Sequence, residues 1–192
     1  SGGVNDYTDT DDVDFTVGAA YDAVKSIQAT SETHTDDSSL PNDGDLSGDP
    51  NVPVAMGEVV TYRLATQLAE GTMVDLTLTD QLSIVGANPL VTPILDDSFT
   101  VTFLNAQAGT ITSPTYGAAL EAANGAVVPL FNAGGTPQIA GLVNYNATTN
   151  FLQLDFGDLV NADGDGDIEY VVIDFNVVVM NNTDVNLGDI IA

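Results

Sequence analysis

The stretch from Gly57 to Leu82 constrains the fold most, because its apolar and polar residues alternate with a period of two. Such alternation is typical of strands that place one face on a core and the other in water. A glycine in the joint between the two halves, Gly71, favours a turn, so we expect a hairpin-like pair of strands. The residues expected on the core side are Val60, Tyr62, Leu64, Val74, Leu76 and Leu78.

The same alternation recurs in three later stretches, whereas helical periodicity is confined to one short run at 118–123 within a long loop. Several strands separated by turns predict an all-β chain, folded as an antiparallel Ig-like β-sandwich with elaborated loops. The core-facing residues expected in these stretches are Phe99, Val101, Phe103, Leu152, Leu154, Phe156, Val171, Ile173, Phe175, Val177 and Val179.

The charge balance restricts the possible partners of the chain. Asp and Glu number 28 in 192 residues, against one Lys and one Arg, for a formal net charge of −26. A chain of this kind repels nucleic acid and anionic membrane surfaces and attracts cations. Binding of Ca²⁺ and adaptation to a salty medium both account for the acids. The absence of cysteine excludes disulfides, thiolate catalysis and cysteine-based zinc sites.

An acidic run near the end of the chain carries the clearest metal-binding motif. It places oxygen-bearing side chains at alternate positions, with glycines between them, as loop-type Ca²⁺ sites do. Further ligands would have to come from elsewhere, such as loop 30–53. A solvated Asp/Gly turn is the alternative. The predicted ligands are Asn161, Asp163, Asp165, Asp167 and Glu169, and two weaker clusters are Asp6, Asp9, Asp11 and Asp12, and Asp43, Asp45 and Asp49.

Lys25, the one lysine, lies in a predicted strand and has two interpretations. It is either an edge-strand lysine that blocks sheet-to-sheet aggregation, or a buried lysine that forms an isopeptide bond to an Asn or Asp side chain. Catalysis has little support. The one histidine, His34, has no catalytic partner nearby, and no nucleophile elbow or phosphate loop is present. We therefore expect no enzyme.

Stretches at 23–27, 57–83, 145–159 and 168–182 together resemble the repeat domains of large bacterial surface proteins, including isopeptide-forming fimbrial-type and conserved repeat domains. They read AVKSI, GEVVTYRLATQL followed by VDLTLTDQLS, YNATTNFLQLDFGDL and IEYVVIDFNVVVMNN. The resemblance implies a β-sandwich in which Lys25 has the position of the isopeptide lysine. Asn176 is expected on the outward face of its strand and is therefore a poor partner for Lys25.

The resemblance also implies a shifted repeat boundary. The family pattern continues beyond GDIIA with two more strands, and a similar run, NDYTDTDDVDFTV, opens this chain instead. Residues 1–17 are therefore expected to be the closing strand and acidic linker of a preceding or neighbouring unit, and 18–192 a sandwich that lacks its own final strand. Val13, Phe15 and Val17 would form the donated strand.

These expectations favour a structural function. We expect a subunit or tandem repeat of an extracellular bacterial filament or adhesin stalk, joined end to end to copies of itself by strand completion and stiffened by Ca²⁺. The alternative is a glycan- or surface-binding module of a secreted adhesin. That alternative requires exposed aromatic residues near the loops at 30–53 and 105–143, where only Phe103, Tyr116 and Phe131 are available.

Overall fold

The computed structural model describes residues 24–31, 56–85, 87–121 and 124–180, and the regular structure in them is almost entirely β. One short helix, α1 (Ala118–Glu121), lies within the expected helical run at 118–123. The strands are β1 (Val24–Thr30), β2 (Val59–Leu68), β3 (Gly71–Gln81), β4 (Ile84–Val85), β5 (Asn88–Pro89), β6 (Val91–Pro93), β7 (Thr100–Leu104), β8 (Ile111–Thr112), β9 (Val128–Pro129), β10 (Val143–Asn146), β11 (Phe151–Asn161) and β12 (Glu169–Val179).

The strands form two main antiparallel sheets. The first sheet has the order β1-β2-β12-β7-β9, with β6 also paired to β12. The second has the order β10-β11-β3, with β8 paired to the end of β11, and β4 and β5 form a small separate ribbon. Every pairing between these named strands is antiparallel. The prediction of an all-β chain is confirmed.

Strand β12 is the central strand of the first sheet, because it pairs with three other strands. On one side it pairs with β2, from Glu169 opposite Leu68 to Val178 opposite Val59. On the other side it pairs with β7 and then with β6. The residues of β12 that were predicted to face the core are all buried, which agrees with the alternation in its sequence.

One hydrophobic cluster contains side chains from both sheets. Phe175 of β12 stacks on Phe99 with ring centroids 5.0 Å apart and contacts Tyr62 of β2 at 5.8 Å. The second sheet contributes Leu152, Leu154, Phe156 and Leu159 from β11. Full burial of a large apolar side chain stabilises a fold by about 1.5–3 kcal/mol, so this shared cluster holds the sheets together.

The expected hairpin over 57–82 is wrong. Strands β2 and β3 do not pair with each other: β2 lies between β1 and β12 in the first sheet, whereas β3 pairs with β11 in the second. The two-residue link at 69–70, followed by Gly71 at φ 95°, is therefore a corner that carries the chain from one sheet to the other. Alternation specifies which face of a strand is buried but not which neighbour it pairs with.

The predicted orientation of Val74 is also wrong. Asp75 adopts a positive φ of 51°, and the pairing of β3 with β11 shifts register between Asp155 and Leu159. Such an irregularity inverts the alternation on its far side. As a result Val74 is 70% exposed, whereas Met73 pairs with the buried Leu159 and packs against the core.

Candidate functional site

Three connections between the two sheets meet at one end of the molecule. The acidic loop at 162–168 joins β11 of the second sheet to β12 of the first. The loop at 105–110 joins β7 to β8, and the corner at 69–70 joins β2 to β3. Hydrogen bonds from Gln107 and to Glu70 tie the other two connections to the acidic loop. We call this end of the molecule, formed by the three connections, the acidic end.

Three carboxylates converge at the acidic end. One oxygen of each of Asp163, Asp165 and Glu169 lies within 4.8 Å of the others, a spacing at which the three could hold a metal ion. Glu169 is only 1% exposed because it begins the central strand β12, whereas Asp165 lies in the exposed part of the loop. The group therefore reaches from the buried start of a strand to the solvent.

Each of the two deeper carboxylates is fixed through one oxygen and leaves the other without a partner. Asp163 Oδ2 accepts a hydrogen bond from the backbone N–H of Gln107 at 2.9 Å, and Glu169 Oε2 accepts one from Asn161 Nδ2 at 2.8 Å. Asp163 Oδ1 and Glu169 Oε1 are buried and accept no hydrogen bond. Because buried polar atoms are rarely left unsatisfied, these two oxygens are suited to binding a cation.

Asp165 is held by two donors. Gln107 Nε2 donates to Asp165 Oδ2 at 2.9 Å, and the backbone N–H of Asp167 donates to Asp165 Oδ1 at 3.2 Å. The side-chain hydrogen bond with Asp167 lowers the pKa of Asp165, and the hydrogen bond from Gln107 lowers it further. The same interaction with Asp165 raises the pKa of Asp167. Of these two carboxyl groups, Asp165 is therefore the one that ionises more readily.

Two glycines shape the loop between these acids. Gly164 and Gly166 have φ angles of 66° and 92°, a region that other residues rarely adopt. The backbone N–H of Gly164 points to the carboxylate of Glu70, at 3.0 and 3.1 Å from its two oxygens. The loop is thereby fastened to the corner between β2 and β3.

Of the five residues predicted as metal ligands, the structure brings three together. Asp167 does not belong to the converging group, and its backbone supports Asp165 instead. Asn161 supports its neighbours, because its Nδ2 donates to Glu169 and its Oδ1 accepts from the backbone of Asp163. The weaker clusters, Asp6, Asp9, Asp11 and Asp12 and Asp43, Asp45 and Asp49, lie outside the described residues, as do Val13, Phe15 and Val17.

Lys25 forms a second cross-connection between the sheets. Its Nζ lies 3.2 Å from both carboxylate oxygens of Asp80, so that β1 of the first sheet is joined to β3 of the second. The same amine lies 4.3 Å from the centroid of the Tyr62 ring, within the range of a cation–π interaction. Lys25 lies on β1, the edge strand of the first sheet as described, and its side chain is mostly buried between the sheets.

Burial moves both members of this pair toward their neutral forms. It lowers the pKa of Lys25, against the opposing effect of the Asp80 charge, and it raises the pKa of Asp80, against the opposing effect of Lys25. Burial also raises the pKa of Tyr62, and the negative charge of Asp80 adds to that effect. The Tyr62 Oη atom is buried without a hydrogen-bond partner, whereas Asp80 Oδ2 has its ion-pair contact with the Lys25 amine at 3.2 Å.

The aromatic residues needed by the glycan-binding alternative are not available on the surface. Phe103 and Phe131 are buried in the core cluster. Tyr116 is half-buried, and its Oη donates a hydrogen bond of 2.8 Å to the Asp155 carbonyl oxygen. Asn176 lies on the outer side of its sheet, as predicted, where its Oδ1 accepts a hydrogen bond from Thr61 Oγ1 at 2.7 Å.

Sequence reasoning missed three residues that matter here: Asp80, Gln107 and Glu70. For Asp80 a signal was present, because it has the same parity along β3 as the core-facing Leu76 and Leu78. For Gln107 and Glu70 no local signal exists, since each reaches the acidic loop from a connection more than fifty residues away in the chain.

Comparisons of this chain with protein-family models, with curated proteins and with solved structures give no match. Across the described part of the chain, no helix has the length and apolar character that crossing a membrane requires. The function is therefore inferred from the geometry of the acidic end and of the Lys25–Asp80 pair.

Proposed function

We propose that the chain is a structural unit of an extracellular bacterial filament or adhesin stalk. In this proposal the unit is an Ig-like β-sandwich, joined end to end to copies of itself by strand completion and stiffened by Ca²⁺. The observation that carries it is the position of Asp163, Asp165 and Glu169, where three connections pass between the sheets. A cation bound there would tie together elements that separate when the unit is pulled.

The donors favour Ca²⁺ over other metals. All three are carboxylate oxygens, which suit hard cations, whereas zinc and copper sites usually include His or Cys. Ca²⁺ accepts 6–8 oxygen ligands in variable geometry, and Mg²⁺ requires a near-ideal octahedron. A loop that turns at Gly164 and Gly166 fits the less demanding ion, with water completing its coordination.

The sites of the two unpartnered oxygens suggest how binding stabilises the fold. Asp163 Oδ1 and Glu169 Oε1 are desolvated in the folded state without a partner, and a cation would supply one. An ion present at 100 times its dissociation constant stabilises the folded state by about 2.7 kcal/mol. For a chain of this size each kcal/mol raises the melting temperature by about 2–4 °C, so we expect a rise of about 5–10 °C.

The test is a calorimetric titration with CaCl₂, combined with thermal unfolding in Ca²⁺ and in EDTA. Glu169→Gln keeps the size of the side chain and removes its charge, and Asp97→Asn is the matched control at an exposed acid outside the group. We expect one site in the parent and in the control, and its loss in Glu169→Gln. Equal Ca²⁺ binding by all three proteins would refute a site at Glu169, because the binding would then come from the overall negative charge of the chain.

The buried Lys25–Asp80 pair supports a mechanical role as well. We propose that these side chains are able to condense to an amide. The neutral amine would attack the Asp80 carboxyl carbon, a C–N bond would form, a C–O bond would break, and one water would leave. Burial favours the two neutral forms that this step requires. The resulting bond would join β1 to β3 covalently across the two sheets.

The charge of the chain fits an assembly outside the cell that is held by divalent cations. A formal net charge of −26 keeps separate copies apart, and divalent cations reduce that repulsion. The resemblance to bacterial surface repeats supports the same location. A glycan-binding module has less support, because Phe103 and Phe131 are buried and Tyr116 is hydrogen-bonded.

A further inference from the structure

Among the described residues, strand β3 pairs along one edge only. Its partner is β11, and no described strand lies on its other side. The second sheet has three main strands, β10, β11 and β3, whereas the first has five in its main order. An unpaired edge of this length exposes backbone N–H and C=O groups and is a template for another strand.

The inner face of β3 is less covered than that of its neighbour. Along β11 the core-facing Leu152, Leu154 and Leu159 are each 0% exposed. On β3, Met73 and Leu76 pack against the same cluster but are only half-buried. Apolar surface on the core side of β3 therefore lacks the cover that one more strand would give it.

The outward side chains at one end of β3 carry no charge, which suits a contact between two acidic copies. Copies with a formal net charge of −26 repel each other, so an interface needs a surface with few acids. The outward residues at the end of β3, Thr77, Thr79 and Gln81, are uncharged and exposed. Beneath them, Asp80 faces inward and is paired with Lys25, one of the two cations of the chain.

We infer that the free edge of β3 accepts the strand 13–17 of a second copy, an inference that rests on the proposed end-to-end assembly. The alternation in this strand provides the required faces. Val13, Phe15 and Val17 would cover the half-buried inner face, and the acids beside them would lie outward next to the neutral threonines of β3. The acids of this strand would thus lie beside the uncharged Thr77, Thr79 and Gln81.

The inference is tested by cross-linking between two full-length single-cysteine variants. Because the chain has no cysteine, Thr16→Cys in one copy and Thr79→Cys in the other give one reactive thiol each. Neighbouring strands lie about 4.8 Å apart, within the reach of a short bis-maleimide. After sedimentation has shown that the two variants assemble, we expect their mixture to form a cross-linked dimer at least about tenfold faster than unassembled chains.

Two controls make the result specific. In the first control, the acceptor copy carries Asn144→Cys in place of Thr79→Cys. Asn144 lies on β10, the strand at the opposite edge of the same sheet, so this copy should cross-link no faster than unassembled chains. Phe15→Asp, added to the Thr16→Cys copy, should reduce the yield to the level of that control, because it places a charge on the covered face. Asp14→Asn, a change on the other face, should leave the yield unchanged.

The possible outcomes separate this inference from the proposed function. Assembly without the link between positions 16 and 79, or with equal linking to position 144, overturns the inference and leaves the filament proposal standing. Linking only when both cysteines are in the same chain also overturns it, because the strand then completes its own unit. Absence of any assembly overturns the filament proposal, and the inference with it.

Discussion

In a chain that has its full sequence mass, and in which Lys25 and Asp80 have therefore not condensed, Asp80→Asn removes the negative charge that faces the buried Lys25 amine and changes the shape of the side chain little. Loss of one partner of a buried ion pair costs about 3–5 kcal/mol. The Lys25 and Asp80 side chains are 21% and 9% exposed, so some water reaches the amine and reduces that cost. We expect the free energy of unfolding to fall by about 2–3 kcal/mol, and the melting temperature by about 4–12 °C.

The pH dependence of this loss follows from the pKa of Lys25. Burial lowers that pKa from its usual 10.5, and Asp80 partly opposes the lowering, so the substitution lowers it further. Between the lowered pKa and 10.5, the folded state binds fewer protons than the unfolded state, and stability therefore rises with pH. The difference in free energy of unfolding between the parent and Asp80→Asn should therefore become smaller as the pH is raised from neutral toward about 10.

The assay is urea unfolding at a series of pH values, followed by circular dichroism and by the fluorescence of the six tyrosines in a chain without tryptophan. Lys25→Met combined with Asp80→Leu is the control, because an apolar pair of similar volume often replaces a buried ion pair without loss. The reasoning fails if Asp80→Asn lies within about 0.5 kcal/mol of the parent, or if its deficit is the same at every pH.

Three further predictions concern other contacts. The intact mass should be one water below the sequence mass if Lys25 has condensed with its carboxylate partner, and the full sequence mass would contradict the amide. Arg63→Met should cost less than about 1 kcal/mol in urea unfolding, because the bidentate ion pair that Arg63 forms with Asp174 is partly exposed; a loss above about 2 kcal/mol would contradict this. Gly157→Ala should cost at least about 2 kcal/mol in thermal unfolding, because Gly157 has a φ of 58° and an added Cβ would collide with the Thr115 side chain. Unchanged stability would contradict this prediction and would show that the segment around Thr115 moves aside.

The burial pattern of most strands could be predicted from the sequence, because alternation alone determines it. Strand β12 shows this well, since Val171, Ile173 and Phe175 are buried while Asp174 and Asn176 face outward. The partners of a strand could not be predicted in the same way. The glycine-containing link before β3 is compatible with a hairpin or with a corner between sheets, and only the tertiary structure distinguishes them.

The candidate metal site could be predicted in part for a related reason. Asp163, Asp165 and Glu169 are close in the chain, so their spacing carried the signal. Gln107 and Glu70 reach the same loop from other connections, and no local pattern identifies such contacts. Alternation does, however, identify a polar residue at a position that should face the core, and such a residue is a candidate for a buried interaction. Asp80 is the example in this chain.

The measurement that tests the central claim most directly is electron microscopy of the purified chain in Ca²⁺, after addition of EDTA, and after Ca²⁺ is restored. A Ca²⁺-stiffened structural unit predicts fibres with a repeat near the length of one two-sheet unit. These fibres should soften or break on chelation and recover when the ion returns. Dispersed particles that do not respond to EDTA would contradict the filament proposal.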